Sequence, residues 1–254
     1  MSEKKHMEKI VDQFSKQAIP FTKIQGHFDS MDLLVKFSKV NESDNVLDVA
    51  CGPGIVACEF AKYSEHVTGI DITPEMIKTA RKNQEGKSLS NINWDIGDAC
   101  PLPYDNDIFS LVITRYSFHH FENVKAALSE MIRVCKPGGR VLVADVGIEP
   151  EKSEAYDRLE IMRDPSHTHA LTTVEFDELF SQSGLENCSQ SGYGVDIELE
   201  AQLKASFPKE EDIPKLREMV TGDIGINDLG INAKNRGGDV VYTVPISLFM
   251  GYKA

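Results

Sequence analysis

The chain has few cysteines and no cysteine spacing that favours a disulfide framework or a zinc site. Its 254 residues include five cysteines, at positions 51, 58, 100, 135 and 188, and no C-x-x-C pair occurs. Small secreted domains rely on many paired cysteines, and structural zinc sites need closely spaced cysteines or histidines. We therefore expect small buried thiols in a cytoplasmic protein, and no metal site.

Long apolar runs and clusters of basic residues are also missing. No stretch approaches the roughly 20 apolar residues that cross a bilayer, and the first six residues, M-S-E-K-K-H, are not followed by the apolar segment of a signal peptide. The net charge is −13, whereas proteins that bind a phosphate backbone need a basic face. We expect no membrane insertion and no nucleic-acid partner; the composition is compatible with an oligomer.

What the sequence does contain is a buried strand that runs directly into a glycine turn. The segment is N-V-L-D-V-A-C-G-P-G-I-V-A, residues 45–57, with Gly52 and Gly54 in the turn and a helix predicted from Ile55. Glycine lets the backbone approach a ligand closely or adopt a positive φ. The free N–H groups at the start of a helix attract polar ligand groups. The segment therefore predicts a site for a nucleotide or nucleoside.

One interpretation of this turn is a dinucleotide site. Gly52-x-Gly54-x-x-Ala57 fits the pattern G-x-G-x-x-G/A, and an acid follows at Asp71. Asp48 lies next to the turn, however, and a carboxylate there would repel a pyrophosphate. An NAD-dependent oxidoreductase therefore stays an alternative but is not favoured.

Predicted strands and helices alternate along the first 150 residues, which is typical of a parallel sheet with right-handed crossovers. Four polar residues lie at the predicted carboxyl ends of strands: Asp48, Asp71, Asp98 and Arg115. Ligands of such sheets bind at this edge, so we expect these residues to surround one site. The predicted strands cover residues 45–49, 66–71, 92–97, 109–115 and 140–146.

Four segments, in order over about residues 45–146, resemble the motifs of class I S-adenosylmethionine-dependent methyltransferases. Within that family the chain is most similar to the small-molecule methyltransferases of the ubiquinone and menaquinone biosynthesis type. The segments are D-V-A-C-G-P-G (48–54), H-V-T-G-I-D (66–71), G-D-A with P-L-P (97–103) and V-C-K-P-G-G-R (134–140).

The resemblance implies an α/β, Rossmann-like fold, a seven-stranded and mostly parallel sheet with helices on both faces and an antiparallel last strand. Residues 1–28 are expected to form an N-terminal lid and residues 29–150 the cofactor-binding core. Residues 151–254 are expected to complete the sheet within the same structural domain. We expect the sixth strand near residues 189–193, the last at 240–252, and a substrate cap inserted at about 195–238.

The resemblance also implies roles in binding S-adenosylmethionine. Asp71 is expected to accept hydrogen bonds from the ribose hydroxyls, because a carboxylate offers two acceptors. Asp98 and Ala99 are expected at the adenine, with Ile72 packed against its ring. Asp48, Gly52 and Gly54 are expected to face the methionine end. The remaining residues expected at the cofactor are Phe14, Phe21, Cys51, Met76 and Arg115.

Two histidines follow the fourth predicted strand, where the active-site mouth of the family lies. His119 and His120 are the candidate catalytic residues, because an imidazole can act as a base near neutral pH. The alternative is that one or both cap the next helix or hydrogen-bond to the lid. Tyr116, His119 and His167 are expected to contact the substrate.

The segment after the fourth strand also indicates which class of molecule accepts the methyl group. Methyltransferases that act on nucleic-acid amino groups or glutamine amides typically carry D/N-P-P-Y/F there, whereas this chain has T-R-Y-S at 114–117. We therefore predict transfer of a methyl group from S-adenosylmethionine to a C, O, N or S atom of a small molecule. A protein that binds S-adenosylmethionine without methylating anything has the same motifs and stays an alternative.

Overall fold

The computed structural model describes residues 3–19 and 30–254, and an eight-stranded sheet lies at its centre. The strands are β1 (Asn45–Val49), β2 (His66–Asp71), β3 (Ile92–Ile96), β4 (Phe109–Arg115), β5 (Cys135–Val146), β6 (Glu186–Glu198), β7 (Lys234–Arg236) and β8 (Asp239–Tyr252). The helices are α1 (Glu3–Gln17), α2 (Met31–Ser38), α3 (Ile55–Phe60), α4 (Pro74–Gly86), α5 (Val124–Val134), α6 (Ser153–Arg163), α7 (Thr173–Ser181), α8 (Leu199–Ser206) and α9 (Ile213–Gly222).

The strand order confirms the predicted Rossmann-like architecture. The order is β3-β2-β1-β4-β5-β8-β6, with β7 paired to β8. Strands β1 to β5 pair in parallel, and β8 is antiparallel to both of its long neighbours, β5 and β6. The polypeptide therefore crosses over between the parallel strands, and their carboxyl ends lie along one edge of the sheet.

The C-terminal part differs from the prediction in two respects. Strand β7 adds an eighth strand to the expected seven, because residues 234–236 fold back on β8 through the turn at Gly237 and Gly238. Strand β6 begins at Glu186 and continues to Glu198, well beyond the predicted residues 189–193. The segment between β6 and β7 therefore begins at α8 rather than at residue 195.

Helices cover both faces of the sheet, as the buried residues show. Val46, Leu111 and Leu142 belong to one hydrophobic cluster, whereas their chain neighbours Leu47 and Val112 belong to another. Side chains of a strand alternate between its two faces, so these two clusters are the two sides of the sheet. Burial on both sides explains the nearly continuous apolar character of the strands.

Trp94 fixes the position of the glycine turn. A Cβ atom on Gly54 would overlap Cη2 of this tryptophan and would lie 2.9 Å from Cβ of Ala80. Nε1–H of Trp94 donates to Oε1 of Gln84 at 2.6 Å, which holds the ring in place. Gly54 is therefore required both by its φ of +76° and by close packing between the turn and β3.

Among the described residues, no helix is long and apolar enough to cross a bilayer.

Candidate active site

A deep cavity lies at the carboxyl ends of the parallel strands. Its walls come from the segments after β1, β2, β3 and β4 on one side and from α1, α6, β6, α8 and β8 on the other. Most of the residues predicted for the cofactor and the substrate meet on this wall. They are Phe14, Cys51, Gly52, Asp71, Ile72, Met76, Asp98, Ala99, Arg115, Tyr116, His119 and His120.

Asp48, Gly54 and His167 were also predicted for the site but are not among the described residues of the cavity wall. Gly54 packs against Trp94 instead. Phe21, also predicted, and most of the segment after α1 lie outside the described residues.

Asp48 supports the glycine turn from behind. Its side chain is buried, and its Oδ2 accepts a hydrogen bond of 2.9 Å from the N–H of Ala57 in α3. Burial raises the pKa of Asp48 to about 8, and the nearby Asp71 adds to this, although the Ala57 hydrogen bond opposes it. The carboxyl group of Asp48 therefore holds the start of α3, and its contact with the methionine end of the cofactor stays a prediction.

Asp71 connects the ends of β1 and β2 at the cavity. Its Oδ2 accepts from the N–H of Gly52 and its Oδ1 from the N–H of Thr73, both at 2.8 Å. Burial raises the pKa of this carboxyl group, although the two hydrogen bonds act to lower it. Each carboxylate oxygen keeps a second lone pair, so the group can still accept from a diol. This arrangement fits the ribose of a nucleoside cofactor.

Arg115 is held between two tyrosines at the end of β4. Its Nη2 donates to the hydroxyl of Tyr116 at 2.7 Å and its Nε to the hydroxyl of Tyr193 at 3.1 Å. The guanidinium also lies over the ring of Tyr116, 4.3 Å from the centroid. Tyr116 has a φ of +59°, a conformation that tyrosine adopts only under constraint and that is frequent at functional sites. Tyr193, on β6, could not be predicted because β6 has no clear sequence pattern.

His119 forms a close pair with Asp145, at the end of β5. The two side chains meet through Nδ1 and Oδ1, 2.5 Å apart. The carboxylate also accepts from the N–H groups of Phe118 and Val146. Burial disfavours a charged imidazole, but Asp145 outweighs it and raises the pKa of His119 above its ordinary value. Burial likewise opposes the charge of Asp145, yet His119 lowers the pKa of the carboxyl group.

This pairing uses only Nδ1 of His119, whose side chain lines the cavity. Nδ1–H is held by the carboxylate, and Nε2 forms no hydrogen bond with any described residue. The neutral ring therefore presents a lone pair at Nε2, as a general base requires. Asp145 was missed by the sequence reasoning, although its place at the end of a predicted strand was an available signal.

His120 has a different environment. Its Nδ1 lies 3.2 Å from Oγ of Ser166, and its backbone oxygen accepts from Nε2 of His6 at 2.7 Å. Phe14 packs edge-on against its ring at 4.9 Å. Burial lowers the pKa of His120 to about 3, so the ring stays neutral. These contacts favour the alternative role for His120, which is to hold the N-terminal segment, rather than a catalytic role.

His167 belongs to a network on the outer side of the site. Its Nε2 lies 2.8 Å from Oδ1 of Asp157, and its side chain is buried. His169 contacts the same carboxylate through Nδ1 at 2.6 Å and reaches Glu175 through Nε2 at 3.0 Å. His167 therefore holds this loop against the site, and its contact with the substrate stays a prediction. No three His, Cys, Asp or Glu side chains of the described ranges are grouped as metal ligands.

Helix α1 lies across the cavity and is fastened along its length. Besides the bond from His6, Nε2 of Gln13 donates to the backbone oxygen of Ser206 at 2.5 Å. Nε2 of Gln17 donates to Oδ2 of Asp164 at 3.2 Å. The helix thus connects the end of β4 with α8 and with the end of α6. Its Met7, Ile10 and Phe14 side chains form part of the cavity wall.

The far end of the cavity is polar and was not predicted. Tyr156, Glu160 and Arg163 of α6 and Tyr242 of β8 line it, and all four are buried or nearly so. Nε and Nη2 of Arg163 both donate to the carboxylate of Glu160. The three α6 residues follow the spacing i, i+4, i+7, so their shared helix face was readable from the sequence. The contribution of Tyr242 was not, because it comes from a distant strand.

Comparison with known proteins now gives the family. Residues 47–143 match the methyltransferase domain model. The uncharacterised methyltransferase YcgJ of Bacillus subtilis is 30% identical over 195 residues, 75% of this chain and 77% of the relative. The crystal structure of YcgJ matches with a TM-score of 0.80 and 25% identity, over 88% of this chain and 97% of the other.

Two further relatives match over smaller parts. The ubiquinone/menaquinone biosynthesis C-methyltransferase UbiE of Zymomonas mobilis is 31% identical over 109 residues, 43% of this chain and 45% of the relative, so the match spans about half its length. Phosphoethanolamine N-methyltransferase 2 of Haemonchus contortus, solved in complex with S-adenosyl-L-methionine, shares the fold (TM-score 0.62, 19% identity, 88% of this chain and 52% of the other). The predicted resemblance is confirmed: this chain belongs to the class I methyltransferase family.

Proposed function

We propose that this chain transfers the methyl group of S-adenosylmethionine to a small-molecule acceptor, with His119 as the base that receives the acceptor's proton. One observation carries the proposal. The Gly52–Asp71 contact and the His119–Asp145 pair open onto the same cavity. A nucleoside-binding carboxylate and an oriented base therefore face a shared space, as transfer from a nucleoside cofactor to an acceptor requires.

The residues at the strand ends fit this cofactor. Asp71 would hold the ribose hydroxyls through its remaining lone pairs, and Asp98 and Ala99 would meet the adenine. Ile72 and Met76 supply apolar surface on the same wall, and the Gly52 turn and Arg115 border the methionine end. When bound, S-adenosylmethionine supplies an electrophilic methyl group on a sulfonium.

The protein's own contribution is orientation, exclusion of water and proton transfer. Nε2 of His119 accepts the proton of an acidic O–H, N–H or C–H group of the acceptor, and Asp145 holds the ring and stabilises the imidazolium that forms. Helix α1, fastened at His6, Gln13 and Gln17, covers the cavity and keeps water from the reacting atoms.

We also propose that residues 1–28 act as a lid, with α1 as its described part. The contacts of α1 with α6, with α8 and with the end of β4 support this role. The UbiE relative is named a C-methyltransferase and the nematode enzyme an N-methyltransferase, so relatives give no single acceptor atom. The proposal therefore leaves the C, O, N or S choice open.

Calorimetric titration with S-adenosylmethionine, S-adenosylhomocysteine and NAD tests the cofactor. The Asp71→Asn variant should lose about tenfold or more in affinity for S-adenosylhomocysteine, because removing a charged hydrogen-bond acceptor costs about 1.5–3 kcal/mol. Asp107→Asn is the matched control, since Asp107 pairs with Lys253 on the surface. Binding of NAD alone would overturn the proposal, as would an Asp71→Asn variant that binds as tightly as the control.

A second experiment tests the transfer. Formation of S-adenosylhomocysteine is measured with panels of phenols, quinols, amines and activated carbon acids. Release that depends on an acceptor, and that His119→Gln reduces, supports the proposal. Tight cofactor binding with no acceptor-dependent release would instead favour the S-adenosylmethionine-binding protein that does not methylate.

A further inference from the structure

The polar far end of the cavity contains two buried tyrosine hydroxyls that have no partner in the described part of the chain. Tyr156 is 2% exposed and Tyr242 is 3% exposed, and both line the cavity. Neither hydroxyl forms a hydrogen bond with a described residue, and neither is sealed away from the cavity. A buried hydroxyl without a partner costs free energy, so this geometry favours a bound polar group.

Arg163 adds a third donor to the same place. Its Nε and Nη2 are directed to Glu160, whereas Nη1 forms no hydrogen bond with the described residues. All four side chains line the same cavity, and Tyr156, Glu160 and Arg163 follow the spacing of one face of α6. The ring of His167 lies 5.5 Å from that of His119 and 6.4 Å from that of Tyr156, so this end lies near the base.

Among the described residues, the carboxylates at this end outnumber its one guanidinium. The guanidinium of Arg163 is neutralised by Glu160, and Asp164 is held by Ser166 and Gln17. Asp145 contributes a further negative charge beside His119. A carboxylate or phosphate would therefore meet a net negative surrounding, and an ammonium would meet mainly hydrogen-bond donors. A neutral oxygen avoids both penalties, because it accepts from the hydroxyls and from Nη1.

We propose that Tyr156, Tyr242 and Arg163 form a subsite for a neutral oxygen-bearing group of the acceptor, a carbonyl or hydroxyl rather than a carboxylate, phosphate or ammonium. This inference rests on the proposed methyl transfer and specifies its acceptor. The remainder of the acceptor lies against Val195, Ile197, Val244 and Ile246, which form an apolar wall beside the subsite. The acceptor is therefore an apolar molecule with a neutral oxygen function near the atom that is methylated.

Three probes of similar size distinguish a neutral carbonyl from a carboxylate and an ammonium. They are acetophenone, benzoate and benzylamine. Their binding to the protein saturated with S-adenosylhomocysteine is measured by calorimetry or ligand-observed NMR. We expect acetophenone to bind more tightly than the other two. We expect the Tyr156→Phe/Tyr242→Phe double variant to weaken acetophenone binding about 30-fold, since the two lost hydrogen bonds together cost about 2 kcal/mol.

Tyr252→Phe is the matched control, because Tyr252 lies on the same strand as Tyr242 but bonds to Lys39 outside the cavity. The affinity for S-adenosylhomocysteine and the melting temperature show whether the double variant is folded. Tighter binding of benzoate or benzylamine, no binding of acetophenone to the wild type, or unchanged acetophenone binding in a folded double variant would each overturn the subsite. Failure of S-adenosylhomocysteine itself to bind would count against the proposed function instead.

Discussion

Nδ1 of His119 lies 2.5 Å from Oδ1 of Asp145, and the carboxylate is held in turn by two backbone N–H groups. The aspartate therefore fixes which nitrogen of the ring carries a proton in the neutral state. The same contact makes the ring more basic, because the negative charge stabilises the imidazolium. The pair has the geometry by which a buried acid orients a catalytic histidine.

The first prediction concerns this acid. In Asp145→Asn the negative charge is lost while the burial of His119 remains, so the pKa of His119 should fall below its ordinary value. NMR titration of the histidine ring protons measures this shift without any acceptor. Once an acceptor is known, the rate should fall about 100-fold or more, as for loss of an oriented base. A His119 pKa unchanged from wild type would contradict the prediction, and Asp107→Asn is the control.

The second prediction concerns Asp48 and pH. The folded state binds the proton of this carboxyl group up to about pH 8, whereas the unfolded chain releases it near 3.8. The folded protein therefore loses stability as pH rises between these two values, and the full cost is present above the higher one. Asp48→Asn removes this cost and can still accept from Ala57.

We expect Asp48→Asn to melt above wild type by a clearly larger margin at about pH 9 than at about pH 5, by thermal unfolding at both. Its affinity for S-adenosylhomocysteine should stay close to that of wild type, unlike that of Asp71→Asn. A melting difference that is independent of pH would show that burial of this charge does not limit stability.

The third prediction concerns the glycine turn. Gly54→Ala combines a φ of +76° with an overlap against Trp94, so we expect a loss of about 2–4 kcal/mol in the free energy of unfolding. Gly138→Ala is the matched control, because Gly138 has a φ of +73° and no atom within 4 Å of the added Cβ. Urea unfolding of both variants separates backbone strain from crowding. Equal losses would mean that Trp94 makes room for the methyl group.

The fourth prediction concerns His169. Its hydrogen bond to Asp157, with a further one to Glu175, raises the pKa of His169 to about 9 although burial opposes this. A raised histidine pKa adds stability that is complete below the unfolded value of about 6.5 and is lost as pH rises through the folded value. The difference between wild type and His169→Gln should therefore be present at about pH 6 and absent at about pH 10. A stability difference between wild type and His169→Gln that persists at about pH 10 would refute this prediction. His66→Gln is the control.

Local patterns were sufficient to predict that several polar residues at strand ends line one cavity. Asp71, Asp98 and Arg115 were predicted together because each ends a strand, and parallel strands bring their carboxyl ends to one edge. Asp48 was grouped with these residues but is not on the described cavity wall, because the grouping did not consider side-chain direction. Asp48 lies on the same face of β1 as Val46, two residues earlier, and this face packs on α3.

The polar far end of the cavity could not be predicted in the same way. Tyr156 and Tyr242 lie far apart in the chain. They line the same cavity only because β8 inserts between β5 and β6. Tyr193 reaches Arg115 by the same arrangement, through strand β6. No local spacing encodes such contacts, since they depend on how distant strands are ordered in the sheet.

That strand order also separates the two ends of the cavity along the chain. The match to the domain model ends at residue 143, within β5, and the predicted cofactor-binding residues at the strand ends precede it. Tyr156, Arg163 and Tyr242 all follow it. We therefore expect substitutions in the second stretch to affect the proposed acceptor subsite and to leave the proposed cofactor-binding residues at the strand ends intact. The proposed cofactor-binding residues at the strand ends and the proposed acceptor subsite therefore occupy separate stretches of the chain.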